Sequence, residues 1–287
     1  MHAHTWATRV HLFDLNTYGD VHGAAWLRLL WQAASDASAA AGFDLDWYER
    51  QGTIWLIRRT ALTILTPVRY GDHIAISTWV ADIRRVRSQR EYEVHRVRDG
   101  ELVARAQTDW VYVDARGKPA RVPELMQRGL MPDGVTARAR PNTSWPEPAT
   151  TAFRSRRRIE FAALDTVAHV NNAYYAVYLE QDVLDAFAAG GWVIDPAARD
   201  GHLQLRQLDI EYFDAALYRD EIDGLVWLTE TTAAHFACEH VLQRTGMPLV
   251  RARTEWQWST GEMPHLLSTV AKALVHPIPS PFGKGQG

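Results

Sequence analysis

"IEFAALDTVAHVNNAYYAVYLEQ", residues 159–181, sets an aspartate, a histidine and two asparagines close together and then runs on as an apolar, aromatic, helix-like segment. Laid without gaps over residues 10–32, "VHLFDLNTYGDVHGAAWLRLLWQ", it pairs Asn16 with Asp165, Val21 with Val170, Trp26 with Tyr175, Leu30 with Leu179 and Gln32 with Gln181. Later landmarks keep the same order: "YGDHIAISTWV" (70–80) answers "YRDEIDGLVWL" (218–228), and "LVARAQTDW" (102–110) answers "LVRARTEW" (249–256). Self-similarity of this kind means one structural unit used twice.

Each half reads as a short strand, a helix and four extended runs. Residues 21–41 are rich in Ala, Leu and Trp on nearly every face and stop at Gly42, which predicts an enclosed helix with a glycine terminator. The runs 53–65, 73–83, 89–97 and 102–114 are β-branched, aromatic and punctuated by Tyr-Gly-Asp and Arg-Asp-Gly turns, which predicts an antiparallel meander. The second half repeats this with a helix at about 172–189, ended by Gly190-Gly191, and strands near 202–213, 221–232, 234–245 and 248–258. The expected fold class is α+β: two units, each a curved antiparallel sheet wrapped round a central helix, paired by a pseudo-twofold. The proline-rich residues 132–152 predict a linker between a first unit at 1–131 and a second at 153–278, with 279–287 as a flexible tail.

Composition removes several function classes. The 287 residues carry a formal net charge of −3, so no global field attracts nucleic acid. A single cysteine, Cys238, excludes an intrachain disulfide and suits a reducing compartment. The N-terminus lacks a basic stretch before an apolar core, and no apolar run is long enough to span a bilayer, which predicts a cytoplasmic protein with no membrane partner. HExxH and CxxC are missing, so no metal is expected, and without GxSxG or a phosphate loop neither a serine hydrolase nor a nucleotide binder is indicated.

The stretch from Asp165 to Tyr175 resembles the Asp-x-x-(Gly)-His-Val-Asn-Asn-x-x-Tyr signature of hotdog thioesterases, the 4-hydroxybenzoyl-CoA and acyl-ACP thioesterase superfamily. The tandem layout is most similar to the acyl-ACP thioesterases, whose catalytic residues lie in the C-terminal hotdog. That resemblance implies an acyl thioesterase of fatty acid or polyketide metabolism, releasing free acid and thiol from acyl-ACP or acyl-CoA without a cofactor. Acyl carrier protein is then a candidate partner, and a homodimer of double hotdogs is left open. The chain departs from the plant type at Val167, where an asparagine is expected, and at Phe213-Asp214-Ala215-Ala216, where a Glu-Cys pair is expected after Glu211-Tyr212. In the first half Asn16 stands in the aspartate's place, Asp20 in the histidine's and Gly23 in the second asparagine's.

Thioester hydrolysis needs a nucleophile or base, donors for the oxyanion, and cover for the acyl chain. Asp165 is the candidate base toward water or direct nucleophile, and its alternative role is to close the turn with a side-chain-to-backbone bond. His169 is a candidate for orienting water or the carbonyl. Asn171 and Asn172 sit where a helix cap is expected, Asn171 grouped with the catalytic residues and Asn172 with the substrate-binding ones. Tyr175, Trp26 and Trp31 are candidate substrate contacts, with core packing as the alternative. Glu180, a carboxylate on an enclosed helix, and Asn16 are candidate supporting residues. The arginine groups "RRVRSQR" (84–90) and "RSRRR" (154–158) could receive a carrier-protein helix or phosphates, or simply face solvent. Two rivals stand beside the thioesterase: a hotdog dehydratase or isomerase acting on acyl thioesters, and a non-catalytic acyl or carrier-protein binding module.

Overall fold

Alternating exposure along HTWATR makes β1 (His4–Arg9), which passes through a 3-10 turn at Leu12–Asp14 into α1 (Gly23–Ala40). There follow α2 (Leu45–Gln51), β2 (Thr53–Ile64), β3 (His73–Arg84), β4 (Arg87–Arg96), β5 (Leu102–Asp114) and α3 (Glu124–Leu130). The sequence then repeats the plan with β6 (Phe153–Arg158), a 3-10 turn at Phe161–Ala163, α4 (Asn172–Ala189), β7 (Leu203–Tyr212), β8 (Glu221–Thr231), β9 (His235–Arg244) and β10 (Met247–Trp258). The structure is a computed structural model that describes residues 3–131, 137–139, 144–197 and 201–260. The chain divides into unit 1, Met1–Thr143, and unit 2, Ser144–Gly287.

Within unit 1 the strand order is β1-β3-β4-β5-β2, and within unit 2 it is β7-β10-β9-β8-β6, with antiparallel pairing inside each. The predicted meander is corrected on this point. In unit 1 β3-β4-β5 run as successive hairpins, as β8-β9-β10 do in unit 2; β2 crosses to pair with β5 and β1 pairs with β3. Inserting α1 between β1 and β2 separates those strands, so each finds its partner on opposite edges of the sheet. Helix α1 packs on β1 and β3, and α4 on β6 and β8.

The helices are also less enclosed than expected. Arg28, Trp31 and Gln32 form an exposed strip on α1, and Val177, Gln181 and Ala188 do so on α4. Helix α2 escaped the sequence reading, although its signals are ordinary: Asp44 caps it by accepting from the Trp47 N–H at 2.8 Å, and Gly52 ends it at φ 60°. It packs with α3 in an aromatic cluster of Phe43, Tyr48, Val80, Tyr112, Val122 and Met126.

Described parts of the expected linker are docked. Arg138 reaches the outer face of the unit 1 sheet, where the fully buried Glu91 takes bonds from Gln89, Gln107 and Arg138. Trp145 donates to Glu211, and Ala152 packs with Leu225, Trp227 and Val241 of unit 2. Residues 132–136, 140–143 and 261–287, which include the expected tail, lie outside the described residues.

Candidate active site

Asp165 opens a tight turn between the 3-10 segment and α4. Its backbone N–H donates to the His169 carbonyl at 2.8 Å and its carbonyl accepts from Ala168 at 3.1 Å. Its side-chain Oδ1 accepts from the N–H groups of Val167 (3.0 Å) and His169 (3.3 Å). Among the described residues every hydrogen bond of this half-buried carboxylate falls on Oδ1. The turn-closing role is therefore real, and it occupies one oxygen of two.

Unit 1 repeats this turn with different chemistry. Asn16 Oδ1 accepts from Tyr18 (2.9 Å) and Asp20 (3.1 Å), while its N–H donates to the Asp20 carbonyl at 2.8 Å. The short bridges Leu15↔Val21 and Leu164↔Val170 close both turns alike. At the residue needing a left-handed backbone, unit 1 has Gly19 (φ 82°) and unit 2 has Ala168 (φ 62°). Asp20, paired with Arg69, is buried, whereas His169 in the matching place is exposed.

Asn171 caps α4, its Oδ1 accepting from Ala173 at 2.9 Å. Its own N–H is tied to the Ala163 carbonyl at 2.9 Å, which holds the helix start against the 3-10 turn. Asn172 is the first helical residue, and its N–H has no partner among the described residues. His22 performs the same cap in unit 1, its Nδ1 accepting from Ala25 at 3.2 Å; burial lowers the pKa of this histidine.

Beside the mouth of α4 runs the segment Phe213–Leu217, at the position of the plant-type Glu-Cys pair. Val170 donates to the Ala216 carbonyl at 2.9 Å and His169 bridges Leu217. The buried Tyr175 hydroxyl accepts from the Ala216 N–H at 2.9 Å, and burial pushes that phenol up to about 12. Tyr175 thus fastens this segment to the helix from inside unit 2. Asp214, the segment's carboxylate, is ion-paired with Arg244 at 2.9 Å.

Asp165, His169, Asn171, Asn172 and Tyr175 are brought together around one turn. Trp26 and Trp31 belong to unit 1, Trp26 at 1 % exposure in its core and Trp31 at 45 % on the outward strip of α1. Glu180 is half-buried and has a partner, while the fully enclosed carboxylate of α4 is Asp182, at 1 % exposure. The "RSRRR" group splits by strand alternation, with Arg154, Arg156 and Arg158 outward and Arg157 turned in toward Asp182. Cys238 is fully buried and its thiol pKa is pushed up, which removes it as a nucleophile. Among the described residues no three His, Cys, Asp or Glu side chains are grouped to hold a metal, and no helix is long and apolar enough to cross a membrane.

Residues 1–128 match the family model of the acyl-ACP thioesterase N-terminal domain. A curated relative, the chloroplastic palmitoyl-acyl carrier protein thioesterase of Arabidopsis thaliana, is 24 % identical over 74 % of this chain and 52 % of its own length. The chain therefore spans about half the length of that relative. Two solved structures share the fold. The 12:0-ACP thioesterase of Umbellularia californica superposes with a TM-score of 0.73 at 17 % identity, covering 89 % of this chain and 94 % of that one. An acyl-ACP thioesterase of Bacteroides thetaiotaomicron gives 0.69 at 14 % identity, covering 88 % and 97 %.

Proposed function

We propose that this chain, a member of the hotdog superfamily that includes the acyl-ACP thioesterases, hydrolyses acyl thioesters to free acid and thiol at the mouth of α4. The observation that carries the reading is the contrast between Asp165 and Asn16. Both close the same turn with one oxygen, so the turn itself needs only an amide. The second carboxylate oxygen of Asp165 is surplus to the turn, and the same turn leads into α4, whose first N–H, that of Asn172, is uncapped.

In the reaction proposed, Asp165 either takes a proton from water as the water attacks the acyl carbon, or attacks that carbon itself to form a mixed anhydride that water then cleaves. In both routes the C–S bond breaks and the sulfur leaves as thiol after gaining a proton. The Asn172 N–H, at the positive end of the helix dipole, is the proposed donor to the oxyanion, a kind of contact typically worth roughly 3–4 kcal/mol. His169 is proposed to orient the water or the carbonyl. The relatives' names supply acyl carrier protein as the thiol carrier to test first, with CoA beside it.

A non-catalytic acyl-binding role is the competing reading, favoured by Val167 and Ala216 where the plant type has polar groups. Free-thiol release from a panel of acyl-ACP and acyl-CoA thioesters separates the two. Turnover lost in Asp165→Asn supports the hydrolase; acyl ligands that raise the melting temperature without any thiol release leave the binding module. Thiol release from a saturated acyl thioester, with no β-hydroxyl to eliminate, excludes the dehydratase.

A further inference from the structure

Unit 2 carries a polar network that unit 1 lacks at every matching position. Asp182, inside α4, accepts from the Ser155 hydroxyl at 2.6 Å and is ion-paired with Arg157 of β6. The Arg157 guanidinium lies over the Tyr178 ring, 4.8 Å from its centroid, and the Tyr178 hydroxyl donates to Glu160 Oε2 at 3.0 Å. The repeat sets Asp182 against Ala33, Arg157 against Thr8, Tyr178 against Leu29 and Glu160 against His11. Strand pairing makes the same comparison in space: Trp6 faces Ile76 across β1 and β3, and Ser155 faces Gly224 across β6 and β8. A Cβ added to Gly224 would stand 2.3 Å from Asp182 Oδ2, so the glycine is what admits the carboxylate.

This network spans the candidate turn. Glu160 precedes Asp165 by one 3-10 turn, and Tyr178 and Asp182 follow it on the helix, so the Tyr178–Glu160 bond closes the chain segment that contains residues 165–171. Unit 1 closes its turn with different chemistry, an ion pair between Asp14 of its 3-10 segment and Arg28 of α1 at 3.6 Å. We infer that the Asp182–Arg157–Tyr178–Glu160 network is a positioning device, which holds the turn of Asp165 in register with the start of α4. The inference rests on the proposed role of Asp165 for its meaning in catalysis, but not for its geometry.

The test uses the full chain with Tyr178→Phe, which keeps the ring beneath Arg157 and deletes only the hydroxyl that reaches Glu160. Amide exchange at Val167 and His169, whose N–H groups bond Asp165, should quicken about tenfold, while exchange at Val183 in the helix interior stays unchanged. On a thioester that the wild type turns over, kcat should fall about tenfold with KM within about twofold. A triple variant, Arg157→Thr with Asp182→Ala and Gly224→Ile, installs the residues of unit 1 and should quicken the same two amides. Unchanged exchange at Val167 and His169 in folded Tyr178→Phe protein would overturn the positioning role, whatever the activity. A wild type that releases no thiol would sink the thioesterase reading alone, because the exchange comparison still decides this one.

Discussion

Asp165→Asn separates the two roles of one side chain, and unit 1 supplies its internal control. Asn16 already holds the equivalent turn through two backbone N–H bonds of 2.9 and 3.1 Å, against 3.0 and 3.3 Å for Asp165. The amide should therefore keep both bonds in unit 2. Exchanging a charged acceptor for a neutral one costs within about 1 kcal/mol, a shift of no more than about 4 °C in Tm. Asp165→Ala loses both bonds on a turn where water can replace them, so about 1–2 kcal/mol is expected there. Catalysis should respond in the opposite pattern. Loss of a base or nucleophile lowers turnover by about 10²–10⁴, and both variants should show it alike. Thiol release under saturating acyl-ACP or acyl-CoA, with thermal unfolding of the same samples, reads both quantities. Asp165→Asn protein that turns over within about tenfold of wild type would refute the assignment of chemistry to the second oxygen. A Tm as low as that of Asp165→Ala would refute the turn argument.

Ala168→Gly should raise stability by up to about 1 kcal/mol, since the left-handed backbone costs an L side chain roughly 1–2 kcal/mol and glycine's unfolded-state entropy returns only part of it; a fall in Tm would count against strain at this turn. Gly224→Ala should destabilise by about 1–3 kcal/mol, because the new Cβ meets Asp182 at 2.3 Å and Ser155 at 2.4 Å, and in an Asp182→Ala background more than half of that cost should vanish; equal costs in both backgrounds would break the link. Burial pushes the Asp182 carboxyl up to about 6 in spite of Arg157, so between pH about 4 and 6 the folded chain holds a proton that the unfolded chain has released. Stability from this group should fall as pH rises through that window, by up to about 3 kcal/mol. Urea unfolding of wild type and Asp182→Asn across it should diverge, and parallel profiles would refute the shift.

Much of this was legible in the repeat. Aligning 10–32 with 159–181 places both helices, both turns and the Asn16/Asp165 exchange, because buried helix faces and turn chemistry constrain residue type strongly. Strand order was harder to read: residue type marks β2 and β5 as strands but does not say that they are neighbours, which depends on where α1 leaves the chain. The fully enclosed carboxylate, Asp182, was not singled out in the sequence. Glu180 and Asp182 are two positions, about 200°, apart on α4, and the repeat sets them against Trp31 and Ala33, an exposed and a buried position of α1. The decisive signal lies on another element, where Gly224 answers Ile76, and only the pairing of Gly224 with Ser155 shows the space it opens.

The differences between the units are not scattered. Unit 1 uses glycine at both left-handed positions around its turn, Gly19 and Gly71, where unit 2 has Ala168 at φ 62° and Arg219 at φ 68°. In unit 1 Arg9 from β1 lies over the Tyr70 ring, and a Cβ on Gly71 would meet that guanidinium at 3.2 Å. In unit 2 Arg219 covers Tyr218 from its own strained backbone, 5.3 Å from the ring centroid. Tyr218 and Phe161 then pack edge to face at 5.9 Å, joining the segment after β7 to the 3-10 turn that leads to Asp165. Strained backbone at non-glycine residues costs stability, and a carboxylate is more than the turn needs; unit 1, which buries ion pairs of its own at Asp20 and Glu91, stands with glycine and Asn16 at these positions. Both departures occur in unit 2, on elements that meet at or flank one turn. Folding alone gives no reason for that coincidence, whereas the chemistry proposed for Asp165 does.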